Sequence, residues 1–103
     1  MKPIFFHPAA ESEMINAAEW YETQQTNLGK RFLTTVQEAI NRLSLQPDSY
    51  PLVESNVQRC LTKTFPFGVL FRTKPYHVEI IAVMHLHRNP NYWKNRRFNQ
   101  EVK

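Results

Sequence analysis

Apolar residues recur at helical spacing along the first half of the chain. Between residues 8 and 23 one predicted helix face carries Ala10, Met14, Ala17 and Tyr21, at intervals of four, three and four residues. Pro8 suits the first turn of this helix, because its missing N–H would have no helical partner there. The same spacing predicts a second helix over residues 28–45, whose apolar face consists of Phe32, Val36, Ala39, Ile40 and Leu43. Gln46-Pro47 ends this helix, since proline cannot continue it.

A polar stretch separates the two predicted helices. Residues 24–27 break the apolar spacing, and Asn27 is a candidate N-cap for the second helix. A break this short predicts an antiparallel helical hairpin. Trp20 and Tyr21 are neighbours in sequence, so at most one of the two rings can face the middle of the first apolar face.

Strand patterns surround the hairpin. Residues 3–7 form a short apolar run, and residues 57–63, 65–72 and 77–86 alternate between two faces. In the last stretch Val78, Ile80, Ala82 and Met84 oppose Ile81, Val83 and His85. Because both of its faces are apolar, this stretch is predicted to be the central strand. The resulting β-α-α-β-β-β order predicts an α+β fold, with an N-terminal helical hairpin packed on a small, mainly antiparallel sheet.

Length and composition exclude several classes of protein. We expect residues 1–103 to form one domain, since the length suits one core and 42% of the residues are hydrophobic. The single cysteine, Cys60, excludes an internal disulfide and favours a reducing compartment. No apolar run approaches the ~20 residues of a membrane span, and the N-terminus lacks the features of a signal peptide. The expected location is therefore the cytoplasm, with no membrane partner.

Charge divides the chain into two halves of opposite sign. Residues 1–56 carry four Lys or Arg against seven Asp or Glu, a net charge of −3, whereas residues 57–103 carry nine against two, a net charge of +7. A basic half of this kind attracts phosphate or an acidic protein. A solvated strand edge followed by a basic tail is the simpler alternative.

Familiar catalytic signatures are absent from the sequence. It contains no glycine-rich phosphate loop, no paired cysteines, no HExxH and no GxSxG. His85 and His87 could supply two metal ligands, but no third ligand accompanies them. We therefore expect neither a metal nor a cofactor, and no small-molecule substrate.

The remaining candidate chemistry lies in the basic half. Cations from neighbouring strands could stabilise charge on a phosphodiester while a histidine or tyrosine moves a proton, and the candidates are Arg59, Lys63, Arg72, His85, Arg88 and Tyr92. Tyr92 or Trp93 could stack on a base. The plainer interpretation is that Trp93 covers the core, His85 is a hydrogen-bonded core residue, and Arg96 and Arg97 form a solvated end.

Short motifs spread over almost the whole chain resemble those of RelE/ParE-family toxins. In order they are Glu19-Trp20-Tyr21-Glu22, Leu28-Gly29-Lys30-Arg31-Phe32, Gln46-Pro47 with Tyr50-Pro51, Arg59, Phe65-Pro66-Phe67-Gly68-Val69-Leu70-Phe71, Ile81-Ala82-Val83-Met84-His85, and Arg88-Asn89-Pro90-Asn91-Tyr92-Trp93. The resemblance implies the toxin half of a bacterial type II toxin–antitoxin pair, neutralised by a cognate antitoxin that wraps the toxin. It also implies the β-α-α-β-β-β fold that the apolar pattern predicts, and contact with operator DNA only through the antitoxin.

This family has two activities on one fold, so the resemblance leaves the target open. RelE-like members cleave mRNA on the ribosome, and for that activity the six candidates above would be the catalytic set. ParE-like members inhibit DNA gyrase, and the pattern of Tyr21, Leu28-Gly29 and Arg88…Tyr92-Trp93 looks closer to this side. The second strand also carries fewer lysines than RelE-like nucleases show. An inactive homologue that only binds its antitoxin or operator is a third possibility.

The resemblance also suggests where partners bind. The expected target-binding basic surface consists of His87, Lys94, Arg96 and Arg97, and the expected antitoxin contacts are Trp20, Tyr21 and Arg31. We expect a helix or strand of the antitoxin to lie on the hairpin or on a sheet edge, with an acidic segment reaching the basic half.

Overall fold

The computed structural model describes residues 2–98. Its elements in chain order are β1 (Ile4–Phe6), α1 (Pro8–Gln24), α2 (Leu28–Leu45), a 3₁₀ turn (Pro47–Ser49), β2 (Leu52–Glu54), β3 (Val57–Leu61), β4 (Phe67–Thr73) and β5 (Val78–His85). The predicted α+β fold, a helical hairpin packed on a sheet, is confirmed. Within residues 2–98, neither helix combines the length and the apolar character that crossing a bilayer requires.

The five strands form one mixed sheet in the order β1-β5-β4-β3-β2. β1 is parallel to β5, and the other neighbours are antiparallel. β5 is an interior strand buried on both faces, as predicted, although β4 occupies the middle position. The sequence pattern did not predict β2, because all three of its residues are exposed and give no apolar alternation.

The main core lies between the hairpin and one face of the sheet. α2 buries all five residues of its predicted face, and α1 contributes Ala10 and Ala18, with Met14, Ala17 and Tyr21 packed around them. On the sheet side of this core, β4 contributes Phe67, Val69 and Phe71. The helical spacing of the sequence therefore identified the correct faces of both helices.

The connection between the helices differs from the prediction in its hydrogen bonds. Asn27 occupies the N-cap position, but its φ of 73° is left-handed and its side chain makes no capping bond. The Glu22 carboxylate, at the end of α1, accepts from the N–H groups of Asn27 and Gly29 at 2.8 and 3.0 Å instead. A Cβ at Gly29 would overlap the Ala18 carbonyl oxygen, so glycine allows the close approach of the helices.

A β-bulge corrects the predicted alternation of β5. Leu70 pairs with Ala82 and Phe71 with Ile80, which leaves Ile81 as an extra residue. Val78, Ile80 and Val83 consequently face the helices, whereas Ile81, Ala82 and Met84 face the other side of the sheet. The prediction that Ala82 and Met84 share the face of Val78 was wrong, because period-two alternation ignores an inserted residue.

Candidate functional site

The chain beyond β5 covers the sheet face that points away from the helices. We call this face the outer face and residues 86–98 the C-terminal segment. Trp93 is the anchor of this segment, with only 5% of its surface exposed, and it packs in a second apolar cluster with Val57, Leu70, Ile81, Ala82 and Met84. The plainer interpretation of Trp93, that it covers a core, is the one that the structure supports.

Glu13 of α1 attaches this segment to the rest of the domain. Its carboxylate accepts from Arg96 Nη1 at 3.0 Å and Nη2 at 2.8 Å, and it lies 3.5 Å from Arg88 Nη1. It also accepts from the Val83 backbone N–H at 3.0 Å, beside the bulge, where Arg96 Nη1 donates to the Ile81 carbonyl oxygen. One carboxylate thus joins the hairpin, the strand irregularity and the C-terminal segment.

Tyr92 lies between the two arginines of this attachment. The guanidinium carbons of Arg88 and Arg96 lie 3.7 and 4.9 Å from the centre of its ring, within cation–π range. Burial, followed by the neighbouring Glu13 carboxylate, raises the pKa of the Tyr92 phenol well above its usual value. At neutral pH Tyr92 is therefore protonated, and it is a poor proton acceptor.

Arg72 is held at the far end of the same sheet face. Its Nη1 donates to Glu79 Oε1 at 3.1 Å and its Nε to Asn56 Oδ1 at 3.0 Å. Glu79 is almost completely buried and also contacts His77 Nε2 at 2.9 Å. The Glu79 carboxylate therefore already compensates much of the positive charge with which Arg72 could bind a phosphate.

The other predicted catalytic candidates do not gather around Arg72. Arg59 lies on the outer face under the C-terminal segment, and Lys63 is exposed after β3. His85 faces the helix side, where its ring stacks edge-on against Phe67 at 5.1 Å and its Nδ1 accepts from the His87 N–H. The structure thus brings Arg88 together with Tyr92, but it separates His85 from the arginines of the outer face.

The predicted target-binding cations divide into two groups. His87, Lys94 and Arg97 are exposed, and Lys94 forms a surface pair with Glu54 at 3.3 Å. Arg96 is half-buried by its contacts with Glu13, which also raise the pKa of its guanidinium through a hydrogen bond. Arg96 consequently holds the segment in place, and the other three are available to a partner.

A groove of about 450 Å³ runs between the hairpin and the end of β5, with Ala17, Trp20, Tyr21, Phe67 and His85 along it. The Trp20 ring is 58% exposed and meets Tyr21 edge-on at 5.1 Å, while Tyr21 packs inward on Phe32, Phe65 and Phe67. Tyr21 is therefore the residue of this pair that faces the core. Arg31 is exposed on α2 and does not line this groove.

Sequence reasoning missed the carboxylates that organise these sites. Glu13 and Glu22 look like ordinary polar helix residues, and Glu79 is a single acid in an apolar strand. Glu79 could have been identified from the sequence, because an acidic side chain inside a buried strand must be paired. Among residues 2–98, no three His, Cys, Asp or Glu side chains are arranged to hold a metal ion.

Comparisons with known proteins address the family directly. The model of the ParE toxin of the type II toxin–antitoxin system parDE matches residues 4–90, which is most of the chain. A search of curated proteins finds no match. A solved structure described as a chromosomal ParDE TA system from P. aeruginosa is similar with a TM-score of 0.68 and 15% identity, over 84% of this chain and 97% of that one.

These two findings have different weight. At 15% identity the structural likeness shows the fold, whereas the match over residues 4–90 shows the family. The predicted resemblance to RelE/ParE toxins, closer to the ParE side, is confirmed. The chain belongs to the ParE toxin family of type II toxin–antitoxin systems.

Proposed function

We propose that this protein inhibits bacterial growth by binding DNA gyrase, and that a cognate antitoxin neutralises it by binding the toxin directly. Membership of the ParE family supports both parts of the proposal. The observation that carries the choice of gyrase over mRNA is the engagement of the arginines. Arg72 is paired with the buried Glu79 and Arg96 with Glu13, whereas the exposed Arg88 makes a longer contact of 3.5 Å with Glu13.

A nuclease site would need its arginines, tyrosine and histidine in a different arrangement. Phosphodiester cleavage uses cations free to bind the phosphate and a nearby group that exchanges a proton. Here Arg72 and Arg96 are each bound to a carboxylate, Tyr92 holds its proton firmly, and His85 lies on the opposite side of the sheet. Contact with a protein target requires none of this chemistry, so the geometry favours inhibition by binding.

A gyrase assay tests the target. Purified protein is added to gyrase with relaxed plasmid, and we expect loss of supercoiling together with trapped cleaved DNA. In parallel, the same preparation is added to ribosomes programmed with mRNA, and we expect the message to stay intact. Normal supercoiling at saturating protein, or cut mRNA, would contradict the proposed target.

Charge-matched variants locate the target surface. We expect Lys94→Gln with Arg97→Gln to weaken inhibition of gyrase, because both side chains are exposed next to the C-terminal segment. Lys2→Gln with Lys30→Gln removes the same two charges from exposed positions elsewhere. Equal loss of inhibition in both pairs would show that net charge, rather than this surface, determines binding.

Growth experiments test the antitoxin. Induced expression of the chain alone should arrest growth, and co-expression of its cognate antitoxin should restore growth. Trp20→Ala should weaken antitoxin binding by about 30-fold, the usual effect of removing a central aromatic anchor. Tyr76→Ala, at an 85% exposed aromatic away from the hairpin groove, is the matched control. Growth that continues without antitoxin would favour the inactive homologue.

A further inference from the structure

A second cavity, of about 270 Å³, lies between the C-terminal segment and the outer face of the sheet. Its walls include the apolar side chains of Leu70, Met84 and Trp93, and three charged side chains, Glu54, Arg59 and Lys94, also line it. The family match ends at residue 90, so two of these six residues belong to a part of the chain beyond it.

Arg59 differs from the arginines around it. Arg72 and Arg96 each bind a carboxylate, but the half-buried Arg59 side chain has no hydrogen bond or ion pair with any residue in 2–98. Its Nε is fully buried and has no acceptor there. The two Nη atoms are not among the buried atoms, so they are the part of the guanidinium that an oxyanion in the cavity could reach.

The stem of the Arg59 side chain packs against the neighbouring strand of the sheet. A Cβ at Gly68 would lie 3.1 Å from both Cγ and Cδ of Arg59, so the arginine stem rests directly on the glycine of the adjacent strand. Gly68 has an ordinary strand backbone rather than a positive φ. Gly68 therefore matters because its missing Cβ leaves room for the stem of the Arg59 side chain to pack on the neighbouring strand.

Trp93 also lines this cavity with its ring, so its indole signal can report on a ligand there. Its indole Nε1 is buried and finds no acceptor among the described residues. Lys94 lines the cavity and contacts Glu54 at 3.3 Å, and both side chains of that pair are about two-fifths exposed, so the pair can exchange partners. The cavity is thus lined by the unpaired guanidinium of Arg59 and by the Lys94–Glu54 pair, which can exchange partners.

We propose that this cavity is an oxyanion pocket that receives one carboxylate side chain of the antitoxin. The proposal rests on the proposed function, in which the antitoxin binds the toxin. A volume suited to one side chain, beside an unpaired guanidinium, favours a carboxylate over a polynucleotide. A phosphate backbone is bound along a continuous row of free cations, whereas Arg72 and Arg96 are each bound to a carboxylate. An arginine in an apolar pocket is also a typical interface hot spot.

The first experiment probes the pocket in the full chain without any partner. ¹⁵N-labelled protein is titrated with sodium acetate at constant ionic strength, and the indole N–H signals of the two tryptophans are followed by NMR. We expect a saturable shift of the Trp93 signal, while the exposed Trp20 serves as the internal control. Arg59→Gln should abolish the shift and Gly68→Ala, which displaces the arginine stem, should weaken it, whereas Lys74→Gln, which removes a charge outside the pocket, should retain it.

Further arms of the titration separate the sources of the anion. Inorganic phosphate and a short single-stranded RNA are titrated in the same way. A Trp93 signal that does not move with acetate, or that Arg59→Gln leaves equally responsive, would overturn the pocket. An RNA that saturates the signal at far lower concentration than acetate would overturn the carboxylate assignment in favour of nucleic acid.

The second experiment measures binding to the cognate antitoxin. We expect Arg59→Gln to weaken binding by about 30-fold or more, because it removes one partner of a buried charge pair. Arg59→Lys should restore only part of the affinity, since an ammonium cannot reproduce the planar fork of a guanidinium. Lys74→Gln is again the control. Equal affinity of wild-type and Arg59→Gln protein would overturn the proposal.

The outcome for the pocket is distinguishable from the outcome for the proposed function. Failure of the wild-type protein to bind or be rescued by the antitoxin contradicts the toxin–antitoxin proposal itself. Tight wild-type binding with no effect of Arg59→Gln contradicts only the pocket. The Trp93 indole signal in each variant reports whether the C-terminal segment is still packed, so misfolding cannot be mistaken for loss of the site.

Discussion

Glutamine at position 13 tests the attachment of the C-terminal segment, because it keeps the size of the side chain and removes its charge. Glu13 binds the Arg96 guanidinium through both carboxylate oxygens and also accepts from the Val83 N–H. A glutamine amide can keep one of these acceptor positions. Its NH₂ group would then face a guanidinium that has only donors.

The expected loss of stability follows from the burial of this pair. The Arg96 and Glu13 side chains are 14% and 13% exposed, so the pair is closer to buried than to surface ion pairs. Breaking a fully buried pair costs about 3–5 kcal/mol, and an exposed pair contributes about 0.2–1 kcal/mol. With the Val83 bond retained, we expect Glu13→Gln to lower the free energy of unfolding by about 2 kcal/mol.

Urea unfolding measures this loss. With an m-value of about 1–3 kcal/mol/M, a loss of that size moves the urea midpoint down by roughly 1 M. In a Trp20→Phe background the fluorescence comes from Trp93 alone. Release of the C-terminal segment would then appear as a red shift, before or together with global unfolding.

Glu54→Gln is the matched control, because it removes the same charge from the exposed pair with Lys94. It should cost less than about 0.5 kcal/mol. If Arg96 is the relevant partner, Glu13→Gln should add little to a chain that already carries Arg96→Gln. A midpoint for Glu13→Gln equal to that of Glu54→Gln would refute the attachment of the segment by Glu13.

Three further predictions concern close packing and buried titratable groups. Gly29→Ala should cost about 2 kcal/mol in urea unfolding, because its Cβ would overlap the Ala18 carbonyl oxygen, and an unchanged midpoint would contradict the close helix contact. Burial raises the pKa of the Cys60 thiol, so Ellman's reagent should label native protein on the order of 10³-fold more slowly than urea-unfolded protein; equal rates would show an accessible thiol. The pKa of Tyr92 is raised in the folded state, so its contribution to stability is complete below about pH 10 and falls as the pH rises further, when only the unfolded phenol loses its proton. Tyr92→Phe should therefore lessen the alkaline drop in urea midpoint, and an identical drop in both proteins would contradict this assignment.

Local patterns in the sequence were sufficient for most of the architecture. The spacing of Phe32, Val36 and Leu43 identified the buried face of α2, because a helix repeats every 3.6 residues whatever it packs against. The Gln46-Pro47 boundary was correct for a similar reason, since proline acts on the chain next to it. The short β2 strand and the bulge at Ile81 escaped detection, because both depend on pairing with another strand.

The candidate sites depended far more on tertiary contacts. Tyr92 and Arg88 were recognisable as candidate functional residues. Nothing in the sequence indicates that Arg88 lies over the Tyr92 ring and contacts Glu13. That contact joins residues more than 70 positions apart, and a carboxylate near a helix start looks the same whether it is solvated or paired. The same holds for Gly68, whose importance lies in the arginine that rests on it.

By itself, the sequence determined the helical hairpin, the strand-rich second half, the separation of charge and the resemblance to RelE/ParE toxins. These features are periodic, compositional or written in short motifs, so they are present before the chain folds. Only the tertiary structure decided which cations are free. It paired Arg72 with Glu79 and Arg96 with Glu13 and left Arg59 beside a cavity, because the free energy of a charge depends on the groups that folding brings within a few ångströms of it.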